Sequence, residues 1–182
     1  AYASPRRGQA LHFPRDHGVH PEFLTEWWYV TGVLDAPRAE VGFQLTFFRT
    51  RSGRAEQLES PLAARQILFA HAAVSRAGDR LRHAERAARA GLGAGYSGSD
   101  CEVHVGAWQM RREGEDAAER IRLRAEDGAL GLDLTLTPTQ PLLLQGEGGW
   151  SQKGVRPDLA SHYVSWPQLR VEGRWRVDGH SH

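Results

Sequence analysis

One carboxylate in the sequence has the surroundings of a general acid. Glu26 is followed directly by two tryptophans and a tyrosine at 27–29. Burial among such rings would desolvate the carboxylate and raise its pKa towards the range used for proton donation. The alternative is a structural glutamate that is paired with an arginine such as Arg49 or bonded to His17. The residue types favour the structural role, and the geometry of the fold must decide.

A second group of residues has the side chains of a metal site. His17 and His20 are three positions apart, with His12 and Glu22 nearby. A zinc site needs at least three protein ligands with outer support, and no standard ligand spacing is present. We therefore expect no metal and no cofactor here, and we interpret these rings as ties between the loop and the strands.

Two further polar residues lie in segments that could face a ligand. His71 interrupts the apolar segment 69–73, where a histidine is either a satisfied core residue or a polar group facing a ligand. The glycine-rich segment 146–154 contains Lys153, the only lysine of the chain. This segment lacks the spacing of a phosphate-binding loop, so Lys153 suggests a role without indicating which one.

The elements that must position these side chains are strands. An Asp-Gly pair at 127–128 separates two of the clearest of them and predicts a tight hairpin. Eight to ten antiparallel strands in one domain over 1–182 predict a closed or nearly closed all-β barrel. Apolar and polar residues alternate over 41–47, 120–126, 130–137 and 168–178, and less cleanly over 27–34, 67–75 and 101–110.

One region does not follow this alternation. The alanine-rich segment from Asp79 to Gly91 has helical propensity, and the glycine-rich segment 91–98 follows it. The region 79–98 is therefore either a short helix over one end of the barrel, or a strand at 80–84 followed by a loop. The pattern slightly favours the strand and loop, with 91–98 irregular.

Composition limits the classes of partner. The formal net charge is +1, which gives no reason to expect a nucleic acid partner. No apolar run approaches the roughly 18 residues of a membrane-spanning helix. Cys101 is the only cysteine, so no disulfide forms within the chain. The first three residues, Ala-Tyr-Ala, resemble the end of a signal-peptide cleavage site and suggest a periplasmic or secreted protein.

Two segments near the start carry a family resemblance. FPRDHGVHP at 13–21, followed by EWWYVTG at 26–32, resembles the entry signature of the AttH-like family, which includes the hydroxyneurosporene synthases, or carotenoid hydratases. The resemblance extends over about residues 10 to 175. Four later blocks agree in order with that family: 42–49, 69–75, 146–154 and 161–165.

The resemblance implies a lipocalin-like barrel that is the amino-terminal half of a two-barrel protein. Its partners would be an apolar small molecule and the second barrel of the same polypeptide. In carotenoid hydratases the proposed acid belongs to that second half, so the catalytic residues remain unknown here. The chain is then part of an enzyme acting on a lipophilic alkene, or a non-catalytic carrier domain. We expect seven residues to line the ligand pocket: Glu26, Trp28, Tyr29, Gln44, His71, Lys153 and Tyr163.

Overall fold

The computed structural model describes residues 2–34, 40–53, 55–60 and 62–181, and most of them lie in strands. Short 3₁₀ turns occupy Arg15–His17, Ala55–Gln57 and Asp116–Ala118. The strands are β1 (Thr25–Leu34), β2 (Val41–Arg51), β3 (Gln66–Arg76), β4 (Arg82–Ala90), β5 (Gly93–Tyr96), β6 (Glu102–Val105), β7 (Trp108–Glu113), β8 (Arg120–Glu126), β9 (Leu130–Pro138), β10 (Leu143–Leu144), β11 (Trp150–Gln152), β12 (Ala160–His162), β13 (Val164–Ser165), β14 (Leu169–Val177) and β15 (His180–Ser181).

Eleven of these strands form one curled sheet in the order β1-β2-β3-β4-β5-β6-β7-β8-β9-β14-β15. Neighbouring strands are antiparallel, except that β4 and β5 pair in parallel over two residues. β10 pairs with β13 and β11 pairs with β12, and these two small sheets do not pair with the large one. The predicted all-β, lipocalin-like fold is confirmed, as a strongly curled half-barrel that is open between β1 and β14.

Side chains fill the concave side of the sheet. Trp108, Phe47 and Leu45 are fully buried there, and Trp28 packs against the same core. Burying one such side chain contributes about 1.5–3 kcal/mol, so this packed interior supplies most of the driving force for the curl. Two hollows that the described residues line are open to solvent, and core residues such as Leu134 and Trp175 border one of them.

The region 79–98 differs from both predicted forms, the short helix and the short strand with a loop. β4 runs on to Ala90, and β5 occupies part of the glycine-rich segment. Ala84 and Ala88 lie opposite Ala72 and Leu68 of β3 and pack against the core. Pairing with β3 along the strand outweighs the weak helical propensity of alanine, because tertiary contacts override local preference.

Two local predictions have clear outcomes. The Asp-Gly pair at 127–128 does join β8 to β9 in a tight antiparallel hairpin. The apolar segment 101–110 is not one strand but the hairpin of β6 and β7, since Gly106 turns the chain with a φ of 59°. A positive φ suits glycine and interrupts an otherwise continuous apolar pattern.

Candidate functional site

Glu26 lies at the start of β1, on the same face of the strand as Trp28. Register places it directly opposite Arg49 of β2, whose side chain is fully buried. Arg49 Nε and Nη2 lie 3.1 and 2.9 Å from Glu26 Oε2. The remaining Arg49 donors bind the Phe23 carbonyl oxygen at 2.7 Å and Gln66 Oε1 at 2.6 Å. The ion pair with Arg49 is thus the structural alternative that the sequence favoured.

His20, and not His17, supplies the other partner of Glu26. The His20 backbone N–H donates to Glu26 Oε2 at 2.9 Å, and its ring Nδ1 lies 2.8 Å from Oε1. Its Nε2 lies 2.9 Å from Asp16 Oδ1, so the ring bridges two carboxylates. Burial alone would lower the pKa of His20, but the hydrogen bonds to Glu26 and then Asp16 outweigh it and raise the pKa.

His17 is held differently, by stacking. Its ring lies 4.4 Å from that of Phe13 and 4.9 Å from that of Trp166, and its carbonyl oxygen accepts from Trp28 Nε1 at 2.9 Å. Burial, and next the charge of Arg112, lower the pKa of His17 to about 4. The ring is therefore neutral at pH 7. Within the described residues, no group of three or more His, Cys, Asp or Glu side chains is arranged to hold a metal ion.

His162 of β12 completes this end of the barrel. Its ring contacts the rings of His20 and Phe23 edge-on, at 5.9 and 5.7 Å. Neither ring nitrogen has a hydrogen-bond partner among the described residues. Burial, and then the charge of His20, lower its pKa. Sequence reasoning missed His162, and no spacing signal could have found it, because β12 reaches this loop only through the fold.

The seven residues expected to line a pocket lie on two different faces. Glu26 and Trp28 point to the packed side of the sheet. The side chains of Tyr29, Gln44 and His71 are exposed on the opposite, convex side.

Five of the seven meet on that convex side. Tyr29, Thr46 and His71 lie side by side across β1, β2 and β3. The Gln44 amide donates to Thr46 Oγ1 at 3.0 Å. The Tyr29 and Tyr163 hydroxyls are 2.9 Å apart, and Lys153 Nζ lies 4.5 Å from the centre of the Tyr163 ring. We call Tyr29, Gln44, Thr46, His71, Lys153 and Tyr163 the polar cluster.

A row of apolar side chains lies beside the polar cluster. Trp27, Phe48, Phe69 and Ala87 are direct register partners across β1 to β4, on the convex side. Three of them are half-buried aromatic residues, and the Phe48 ring lies 5.5 Å from His71. We call these four residues the aromatic row. The sequence contained evidence of this row. Trp27 and Phe48 are each adjacent to a large core residue, so both faces of these strands carry large apolar groups.

The described residues line a small open hollow and a larger open cleft. The hollow, of about 70 Å³, lies on the convex side between Gln44, His71, His83 and Glu85. The cleft, of about 450 Å³, lies between β1 and β14. The small hollow adjoins the polar cluster, whereas the larger cleft involves none of the seven predicted residues.

A solved structure is similar to this chain in sequence and in fold. The crystal structure of a protein assigned as AttH from Nitrosomonas europaea is 40% identical and superposes with a TM-score of 0.84. The alignment covers 98% of this chain and 54% of that one, so the chain spans about half the length of this relative. A search among curated proteins finds no match. Among the described residues, no helix is long and apolar enough to cross a membrane.

The family assignment rests on nearly the whole chain. The model of the AttH-like family matches residues 4–182, which include the DHGVHP loop, the aromatic strand β1 and the glycine-rich segment before β11. This chain belongs to the AttH-like family.

Proposed function

We propose that this domain binds an apolar small molecule on its convex side, as the amino-terminal barrel of a longer, two-barrel protein. The observation that carries the proposal is the aromatic row beside the polar cluster. Trp27, Phe48 and Phe69 form a continuous apolar strip across three strands, and hydroxyl, amide and imidazole groups follow it on one side. Ligand sites combine apolar surface with a few placed polar groups in this way.

The packed interior argues for the convex side over the barrel centre. Many lipocalin-like barrels hold a ligand inside, but here Phe47, Trp108 and the surrounding leucines occupy that space. Large aromatic residues on the outer face of a sheet are costly unless something covers them. A ligand held between the aromatic row and a second barrel would cover this strip, and Tyr29, Gln44, His71, Lys153 and Tyr163 would then contact it.

The whole protein would hydrate or isomerise a lipophilic alkene in that shared site, after export to the periplasm or beyond. Glu26 is a poor candidate for the acid, because both of its oxygens accept hydrogen bonds from Arg49 or His20. The acid would come from the second barrel. The alternative function is a carrier domain that binds the same class of ligand without catalysis.

Binding of retinol, a polyene alcohol, by this chain tests the proposal. Removing one phenyl ring from the row should weaken retinol binding about tenfold or more, since a buried ring contributes roughly 1.5–3 kcal/mol. We expect this loss for Phe48→Thr and Phe69→Thr, with tryptophan fluorescence as the readout. Leu92→Thr, which removes an exposed apolar side chain elsewhere, is the matched control.

Two binding results would contradict the proposed ligand site, and one activity result would contradict a shared catalytic site. One is retinol affinity that is equal in the Phe48, Phe69 and Leu92 variants, provided that urea unfolding shows all three folded. The other is a loss confined to Leu169→Thr, which would move the ligand to the cleft beside β14. Full turnover of an alkene by the second barrel alone would contradict a shared catalytic site.

A further inference from the structure

We propose that the open seam between β1 and β14 is the docking site for one additional strand, formed by the residues that follow position 182 in a longer polypeptide. The proposal rests on the continuation of the chain that we proposed above, but not on the ligand or its position. It assigns a role to the cleft of about 450 Å³ between these two strands.

Residues of β1 and of β14 line the same cleft. The cleft of about 450 Å³ is bounded by the end of β1 on one side and by β14 on the other, with β9 below. Polar atoms make up most of the exposed surface of the cleft, although six of the nine described residues that line it are apolar: Val33, Leu34, Leu134, Leu169, Val171 and Trp175. Core residues Leu34, Leu134 and Trp175 therefore border an open cleft, together with the polar atoms that an added strand could pair with.

The strand edges along this seam lack partner strands. β1 pairs with β2 along its whole length, and no strand among the described residues pairs with its other edge. β14 pairs with β9 from Leu169 to Val177, its other edge pairs with β15 at Arg176 and Val177, and no strand among the described residues pairs with that edge from Leu169 to Arg174. Free edges present backbone donors and acceptors that an added strand satisfies.

The register of β15 directs the chain into the seam. His180 lies opposite Val177 and Ser181 lies opposite Arg176, so each step forward along β15 moves one residue back along β14. Continued by this rule, the six positions after 182 come opposite Arg174 to Leu169. Following the pairings around the sheet, such a strand runs antiparallel to β14 and also to β1. An added strand would therefore form antiparallel backbone hydrogen bonds with both β1 and β14.

The alternation along β14 specifies the side chains that fit. Arg170, Glu172 and Arg174 are exposed, whereas the apolar side chains of Val171 and Trp175 are half-buried and buried. Four of these five residues line the cleft, all except Arg174. Gly173 also lines it and has no side chain, and a Cβ there would overlap the Asp133 carbonyl oxygen. The incoming strand should thus carry apolar residues at 184, 186 and 188, opposite Gly173, Val171 and Leu169. The residue at 184 would cover the gap left by Gly173.

A strand explains the seam better than a small apolar ligand does. An apolar molecule would cover the side chains but leave the backbone groups of two edges without partners, which costs free energy at each buried group. A second copy would have to place a long free strand in the seam, and β15 already occupies one end of it. The continuation of β15 meets neither difficulty.

Hydrogen exchange in three extended chains tests the proposal. The first adds Thr-Val-Thr-Val-Thr-Val after position 182, which places valine at 184, 186 and 188. The second adds Val-Thr-Val-Thr-Val-Thr, with the same composition on the opposite faces. The third adds Gly-Ser-Gly-Ser-Gly-Ser. We expect amides of 31–34 and 169–174 to exchange at least tenfold more slowly in the first chain than in the third, with the second chain intermediate or unprotected.

Three outcomes would overturn the proposal. Equal exchange in the first and third chains means that the seam does not accept a strand. Protection that appears only as the chain dimerises, measured by sedimentation, assigns the seam to a second copy. Protection of the seam by retinol in the chain without extension assigns it to a small molecule. Retinol titration of the Phe48→Thr variant is independent of these results, so failure of the proposed function is recognised separately.

Discussion

The carboxylate of Glu26 and the guanidinium of Arg49 form an ion pair at 2.9 Å across β1 and β2, and the Arg49 side chain is fully buried. The same guanidinium binds the Phe23 carbonyl oxygen and Gln66. One buried side chain therefore joins the first two strands to the loop that carries His20. The DHGVHP segment and the EWW segment are linked in space by this arrangement.

Removal of Arg49 should be strongly destabilising. Arg49→Met leaves Glu26 without its buried counter-charge, so we expect the free energy of unfolding to fall by about 3–5 kcal/mol in urea. Glu26→Gln combined with Arg49→Met should be less destabilised than Arg49→Met alone, because no unpaired charge remains. Arg124→Met, on the exposed face of β8, is the control. A loss at Arg49 no larger than at Arg124 would contradict the buried network.

Stability should fall in acid because of His17. Its pKa is about 4 in the folded chain and about 6.5 when unfolded, so the unfolded state binds more protons between these values. The stabilisation is complete above pH 6.5 and is lost as pH falls towards 4, by about 3 kcal/mol at most. His17→Phe retains the stacking and removes the titration. Urea unfolding from pH 7 to 4 should show a shallower decline in this variant, and an unchanged decline would refute the assignment.

Gly18 should not tolerate a side chain. A Cβ at this position would lie 2.9 Å from the Gly98 carbonyl carbon and 3.0 Å from the Asp100 nitrogen, both in backbone. Gly18→Ala must therefore push the loop away from 97–100, where the Val19 N–H donates to the Ser97 carbonyl oxygen at 2.9 Å. We expect a loss of about 1–3 kcal/mol in thermal or urea unfolding. Gly128→Ala has open space around its Cβ and should lose much less.

His162 should be replaceable by a residue without ring nitrogens. Because neither nitrogen has a partner among the described residues, His162→Phe removes two desolvated polar atoms and keeps the contacts with His20 and Phe23. We expect stability equal to the wild type or higher, by up to about 1 kcal/mol. His20→Phe is the contrasting variant, since it removes bonds to Asp16 and Glu26 and should be destabilising. Destabilisation of both variants to the same extent would show that the His162 nitrogens are bonded in solution.

The sequence predicted the orientation of the core strands better than the positions of the site residues. In β8 and β9 one face is apolar and the other polar, so alternation predicted both the strands and their orientation. In β1 and β2 large apolar residues occupy both faces, as with Trp27 beside Trp28 and Phe47 beside Phe48. The alternation pattern then does not show which face of the strand is buried. It therefore could not predict that Tyr29, Gln44 and His71 lie on the convex side.

Local chemistry in the sequence thus determined the all-β class, the hairpin at 127–128 and the family, and it favoured a structural role for Glu26 with Arg49 or His17 as the partner. These depend on the alternation period, turn residues and adjacent residue types, which are short-range properties. Only the tertiary structure decided that β4 is a full strand, that His20 and not His17 bonds Glu26, and that His162 joins them. It alone placed the polar cluster on the convex side and left the seam between β1 and β14. These features depend on pairings between segments that are distant in the chain, where packing and register, not local preference, set the outcome.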